Sequence, residues 1–190
     1  MTAIVEKALG LWGMKGADWH LIAARENRVF RVDHNGRSFA LRLHRPNYRT
    51  NAELWSELEW IKELAKGGLH VPAPIRSVPG QVLHVIDGTQ VDVLTWLEGA
   101  PIGQTGVALN AADRTGLFAS IGREMARLHT LSDAWTRPEG FTRCTWDSEG
   151  LVGEAPLWNR FWDNPTLNAK DKALFQKARA TATARLLEIE

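Results

Sequence analysis

The sequence predicts an α+β fold, in which a five-strand antiparallel sheet with one helix packed on it precedes a helical C-terminal portion. Three observations predict it. Asn35-Gly36 and Asp87-Gly88 are tight-turn dipeptides flanked by alternating apolar residues, and each reads as the turn of a β-hairpin. A strongly capped helical pattern lies between the two hairpins. Helical periodicity then dominates from about residue 110 onward.

Taken in order, residues 3–12 read as a short amphipathic helix ended near Gly13, with Ile4, Leu9 and Trp12 as its packing contacts. Residues 19–24 read as a first strand that leads into the polar turn Arg25-Glu26-Asn27-Arg28. In the second strand of the first hairpin, Phe39, Leu41 and Leu43 share one face while Ala40, Arg42 and His44 share the other. Arg42 therefore projects beside a small residue, on a face with room for something else.

The next helix has Thr50 as its cap and Glu53 as the capping-box partner, with a core stripe of Leu54, Leu58, Ile61 and Ala65. Glu57 falls at the margin of that stripe, and its i±4 neighbours are Glu53 and Ile61, so no intrahelical cation stands ready to pair with it. Its expected partner is Arg42. Gly67-Gly68 stops the helix, and Val71-Pro72-Ala73-Pro74 reads as an extended edge segment because prolines cannot donate to a ladder. Residues 81–86 and 90–97 complete the five strands.

A long helix is expected over residues 110–131, with Asn110 as cap, Asp113 at N3, and Leu117, Ile121, Met125 and Leu128 as its stripe. His129, near its end, is favoured there by the helix dipole and receives no catalytic role. Residues 132–168 mix Trp135, Trp146, Trp158 and Trp162 with turn residues, and the run from Pro156 to Pro165 reads as a short helical turn between loops. Packing of that loop and contact with a substrate are both open readings of its aromatics. Residues 169–190 form a last helical pattern that stops without a glycine, proline or capping signal.

Composition narrows the function classes. A hydrophobic fraction of 44% and a charged fraction of 24% over 190 residues suit a globular chain of one domain or two small lobes. The formal net charge is +1, so no global field recruits polyanions, and the tryptophans are scattered outside the basic stretch, which disfavours a nucleic-acid groove. Residues 25–49 nevertheless hold seven arginines against Glu26 and Asp33, which allows a local anionic ligand. Cys144 is the single cysteine, so no disulfide closes within the chain. The amino terminus carries Glu6 in its apolar pattern and no basic leader, and no apolar run nears the roughly 20 residues that span a bilayer. A cytoplasmic protein with no membrane partner is the expectation.

Four stretches together resemble the aminoglycoside phosphotransferase and choline-kinase-like superfamily, above all its homoserine-kinase-like and stress-response-kinase branch. They are Phe-Ala-Leu-Arg-Leu-His-Arg-Pro around Arg42, the helix Ser-Glu-Leu-Glu-Trp-Ile-Lys-Glu-Leu, Val-Pro-Ala-Pro, and Leu-Thr-Trp-Leu-Glu-Gly. The likeness is strongest from about residue 26 to residue 131. It implies a protein-kinase-like N-terminal lobe over residues 1–95, a hinge and linker over 96–106, and an incomplete helical C-terminal lobe over 107–190. It also implies an enzyme that transfers the γ-phosphate of ATP to the hydroxyl of a small substrate, with ATP and magnesium as cofactors.

Carried onto this sequence, the resemblance gives Arg42 the α- and β-phosphates, with Ala40 beside it and Glu57 orienting it. The Asn27 and Arg28 turn would lie over the phosphates, and Thr95, Trp96 and Leu97 would meet adenine. Arg42 departs from the lysine of protein kinases, and a planar fork differs from a compact point charge. No His-x-Asp-x-x-x-x-Asn loop occurs. Catalytic residues and magnesium ligands are therefore expected beyond Glu190, and the chain alone is expected to be inactive and open to self-association. The alternative is a non-catalytic nucleotide-binding or interaction module.

Overall fold

Alternation along the strand Arg37–Leu43 (β3) sorts the sheet into two faces, and a helix covers each. The computed structural model describes residues 1–103 and 105–189. The remaining elements are α1 (Thr2–Leu11), β1 (Asp18–Ala24), β2 (Arg28–His34), α2 (Asn51–Lys66), β4 (Leu83–Ile86), β5 (Thr89–Thr95), α3 (Arg114–Ala134), α4 (Ser148–Val152) and α5 (Ala169–Leu186). The chain divides into two compact units, Met1–Thr142 and Arg143–Glu190. None of the described helices is long and apolar enough to cross a membrane.

The five strands form one antiparallel sheet in the order β1-β2-β3-β5-β4. Both hairpin turns adopt the expected conformation, with φ of 50° and 72° at Asn35 and Gly36 and of 49° and 77° at Asp87 and Gly88. The proline-bearing segment extends the edge beyond β4, where Pro74 bridges Leu94 and Ile75 N–H donates to the Val93 carbonyl. Proline sits there because its missing N–H faces away from the ladder.

On one face, Phe39, Leu41 and Leu43 join Phe30, Val32, Val91 and Val93 in the main core. Val5, Ala8, Leu9 and Trp12 cover it, because their spacing of three and four residues places them along one side of α1 and its C-terminal cap. A valine or leucine among them, buried fully, contributes roughly 1.5–3 kcal/mol. The opposite face carries Ala40 and Leu94, packed under Leu58 of α2 together with Val82. This second face is the one that bears Arg42.

The capping box starts α2 as expected, with Glu53 N–H donating to Thr50 Oγ1 at 3.2 Å and Thr50 N–H to Glu53 Oε2 at 2.8 Å. The helix ends in a Schellman pair: Leu69 N–H donates to the Leu64 carbonyl and Gly68 N–H to the Ala65 carbonyl, with Gly68 at φ 81°. Its buried positions are Leu54, Ser56, Leu58 and Leu64, whereas Ile61 and Ala65 of the expected stripe are half-buried. Ser56 is buried because its hydroxyl donates to the Ala52 carbonyl and accepts from Thr142 N–H.

The long helix starts later than expected. Two cap-competent residues lie three apart, and Asp113 rather than Asn110 takes the role, accepting from Gly116 N–H at 2.8 Å. It meets α2 through Trp60 Nε1, which donates to Ser132 Oγ, and through Leu131 beside Gly67. No residue of α3 is buried, and Phe118 and Met125 are 59% and 55% exposed. Of the expected stripe, Leu117, Ile121 and Leu128 are half-buried and Met125 is exposed. In the second unit Trp162 is fully buried within a 3₁₀ turn, and the Arg179 guanidinium lies 4.1 Å from its ring centroid. The short α4, capped by Asp147, has no counterpart in the sequence expectations.

Candidate functional site

Arg42 and Asp92 are direct partners in the β3–β5 register, so both side chains leave the sheet on the face that α2 covers. Asp92 grips the guanidinium side-on: Arg42 Nε donates to Oδ1 at 2.7 Å and Nη2 to Oδ2 at 2.8 Å. From α2, Glu57 Oε1 accepts from Arg42 Nη1 at 2.9 Å. The pair expected between strand and helix thus forms, and a second carboxylate joins it.

His44 completes the cluster, its Nε2 lying 2.7 Å from Asp92 Oδ2. An ionised carboxylate only accepts, so this nitrogen carries the proton and donates. Burial raises the pKa of Asp92, but the His44 hydrogen bond and the Arg42 charge outweigh it and hold the carboxyl below its ordinary range. Burial acts on Arg42 in the opposite sense, and the two carboxylates outweigh it, so the guanidinium stays charged with its pKa raised. Arg42 and Glu57 keep 14% and 24% of their side-chain surface exposed, whereas Asp92 keeps none. The site is a cation at the rim, anchored from beneath.

The other expected site residues stand in three places, on β3, at the β1–β2 turn and at the end of β5. Ala40 lies one pleat along β3 from Arg42, on the same face and opposite Leu94. Asn27 and Arg28 lie at the β1–β2 turn, where Asn27 accepts from Arg25 N–H through its carbonyl and Arg28 is exposed. Thr95 is committed to the edge segment, because its N–H donates to the Ala73 carbonyl and its Oγ1 accepts from Ala73 N–H. Trp96 carries the Arg31 guanidinium 5.0 Å from its ring centroid, and its buried Nε1 has no hydrogen-bond partner among the described residues. Leu97 follows, half-buried.

Among the described residues, the first unit carries at least two clefts. One of about 760 Å³ is lined by Arg25, Pro101, Gly103 and Thr105, between the β1–β2 turn and the segment after β5. Another of about 620 Å³ runs between α2 and β4 past Trp55, Glu59 and Lys62, none of which bonds to Arg42. Among the described residues, no group of three or more His, Cys, Asp or Glu side chains could hold a metal ion.

Asp92 and His44 take no part in the site expected from sequence. A signal for both was present: Asp92 interrupts the apolar run Val91-Asp92-Val93-Leu94, and His44 follows Arg42 at period two on the same face. A buried charge in a strand calls for a cation opposite it.

Comparison with known proteins gives this geometry a context. The chain is 25% identical over 150 residues to amicoumacin kinase of Bacillus subtilis (strain 168), a match that covers 77% of this chain and 44% of that protein. The structure of a microcompartment-associated aminopropanol kinase superposes on all of the chain and 58% of its own length, with 28% identity and a TM-score of 0.81. Spectinomycin phosphotransferase, in complex with ADP and spectinomycin, shares the fold at a TM-score of 0.55 and 16% identity, over 93% of this chain and 53% of its own. This chain spans about half the length of each of these relatives. A model of the phosphotransferase enzyme family matches residues 18–188, and the chain belongs to that family.

Proposed function

We propose that the chain is the nucleotide-binding part of an ATP-dependent small-molecule phosphotransferase, which moves the γ-phosphate of ATP to a hydroxyl. The observation that carries this reading is the Arg42–Glu57 pair at 2.9 Å, set between strand and helix in a fold shared with a small-molecule kinase. A cation so placed, held by a helix carboxylate, is the arrangement that positions nucleotide phosphates. Arg42 binds the α- and β-phosphates, and the cleft lined by Arg25 and Gly103 receives the rest of the nucleotide beneath the Asn27–Arg28 turn. Because the Thr95 amide is already bonded to Ala73, adenine is met by the backbone of Trp96 and Leu97.

Arg42, Ala40 and the turn suit a phosphate chain, but the described residues offer no cluster for magnesium. The metal and the group that accepts the hydroxyl proton belong to further residues of a longer polypeptide. The shares of 44% to 58% of the relatives' lengths support that part of the proposal. In the same reading residues 1–95 are the nucleotide lobe and 96–106 the hinge. The three named relatives are called after amicoumacin, aminopropanol and spectinomycin, so the acceptor is proposed only as a class, a small hydroxyl-bearing molecule. A cytoplasmic location belongs to the same reading, supported by the single, free Cys144.

The test compares the 190-residue chain with the complete polypeptide in an acceptor-dependent ATP turnover assay. Turnover by the complete polypeptide and none by the shorter chain is expected. Acceptor-dependent turnover by the purified shorter chain would overturn the reading. One observation favours a second reading, a non-catalytic module: Arg42 already makes three hydrogen bonds to carboxylates, as a purely structural ion pair would. Nucleotide binding by the complete polypeptide with no turnover on a panel of amino alcohols and aminoglycosides would favour that module.

A further inference from the structure

Asp92 is a carboxylate with no exposed surface in an apolar strand, a placement that costs several kcal/mol unless every oxygen is paired. Both oxygens are paired. Oδ1 accepts from Arg42 Nε, and Oδ2 accepts from Arg42 Nη2 and from His44 Nε2. Two parallel bonds to one side of a guanidinium fix the plane of that group, which a single contact cannot do. Glu57 then meets Nη1, the one nitrogen that Asp92 leaves untouched.

We propose that Asp92, itself held by His44, is a positioning residue for nucleotide binding that sets the plane of Arg42 and commits position 42 to arginine. The proposal rests on the reading of Arg42 as the phosphate-holding cation.

Donor counting explains the commitment. Arginine has five N–H groups, and the three bonds to Asp92 and Glu57 leave one on each terminal nitrogen for a phosphate. A lysine ammonium has three, all on one atom, so three bonds to Asp92 and Glu57 like those made here would use all of them. The structure thereby accounts for the departure from lysine at this position. A lysine there would be drawn to the buried Asp92 and would have nothing left to present. Glu57 adjusts the exposed end of the guanidinium, whereas Asp92 fixes its buried side.

The test follows two signals in the complete polypeptide. The first is the Arg42 Nε–Hε resonance in a nitrogen–proton NMR spectrum, with its rate of exchange with water. The second is the affinity for ADP by isothermal titration. Asp92→Asn should abolish slow exchange of Nε–Hε and weaken ADP about tenfold or more, as expected for losing a charge-assisted bond pair. Arg42→Lys should weaken ADP by a similar factor although charge is conserved. His44→Ala should speed the exchange and weaken ADP less than Asp92→Asn does, and His44→Gln, which can donate from the same place, should restore both.

If Arg42→Ala weakens ADP while a folded Asp92→Asn does not, the positioning proposal falls and the nucleotide reading stands. If Arg42→Ala leaves ADP affinity unchanged, the nucleotide reading falls and takes this proposal with it. Should Asp92→Asn fail to fold, the His44 pair decides. Unchanged exchange and affinity in His44→Ala, or failure of His44→Gln to restore them, would overturn the proposal, and the expected loss and rescue would support it.

Discussion

Arg42 on β3 and Glu57 on α2 stand 2.9 Å apart, and the link between them is made by packing rather than by charge alone. Leu58, the residue after Glu57, is fully buried against Leu94 and Val82 on the sheet face that Arg42 shares. The depth at which Leu58 seats α2 sets how far Glu57 reaches. A partly exposed pair contributes little stability in itself, so its importance lies in where it holds the guanidinium.

Leu58→Ala should therefore act on both stability and binding. A buried leucine truncated to alanine costs about 2–5 kcal/mol, and at this position the loss loosens α2 beside the site. Leu9→Ala on α1, in the core of the opposite face, should cost stability in the same range but leave nucleotide affinity unchanged. Urea unfolding combined with nucleotide titration checks the contrast. Equal losses of affinity in both variants would contradict the separation of the two faces.

The Asp92 cluster predicts a particular acid sensitivity. The carboxyl of Asp92 is held below its ordinary value of 3.8 in the folded chain, because pairing with His44 and Arg42 outweighs burial. Its contribution is then complete above that ordinary value and is lost as pH falls through the lower, folded-state value. Unfolding midpoints measured from neutral pH downward should fall in acid for the native protein and more gently for Asp92→Asn. At neutral pH Asp92→Ala should cost about 3–5 kcal/mol, as expected when one member of a buried pair is removed.

Gly68 closes α2 in the left-handed region, at φ 81°, and nothing but a distant Arg127 nitrogen stands near an added Cβ. Gly68→Ala should thus cost only backbone strain, about 1–2 kcal/mol. Gly67→Ala differs, because its Cβ would lie 2.6 Å from Leu131 of α3 and force that side chain to move. Thermal unfolding of the two variants, with the α2–α3 contact followed by Trp60 fluorescence, separates strain from collision. A fluorescence change in Gly67→Ala alone is expected.

Much of this was legible in the sequence wherever local chemistry decides the outcome. Asn35-Gly36 and Asp87-Gly88 dictate their own turns, and Thr50 with Glu53 dictates the start of α2, because each device is complete within a few residues. The Arg42–Glu57 pair was legible by elimination, since period two fixed the face of Arg42 and the i±4 neighbours of Glu57 carry no cation. Asp92 was not. It meets Arg42 across 50 residues and His44 across 48, and that juxtaposition exists only once β5 docks on β3 in register. The start of α3 was misplaced for a different reason, because Asn110 and Asp113 are chemically equivalent caps and only the folded loop before Arg114 chooses between them.

A magnesium-nucleotide site and a nucleic-acid groove respond differently to salt. Affinity for ADP in the complete polypeptide should change little between about 50 and 200 mM salt, whereas a groove making 6–10 phosphate contacts loses about 10³- to 10⁵-fold over that range. Titration of ADP and of a single-stranded oligonucleotide at the two salt concentrations checks it. Tight oligonucleotide binding with a steep salt slope would contradict the small-molecule reading.

If Arg42 is the phosphate-holding cation of a small-molecule kinase, Arg42→Ala must lose affinity for ATP. Isothermal titration of the complete polypeptide with a non-hydrolysable ATP analogue should show a loss of about 1.5–3 kcal/mol, the range for hydrogen bonds to a charged group. Glu57→Gln, measured alongside, should lose less in binding than in turnover, because its part is orientation. Unchanged affinity in a folded Arg42→Ala variant would contradict the account.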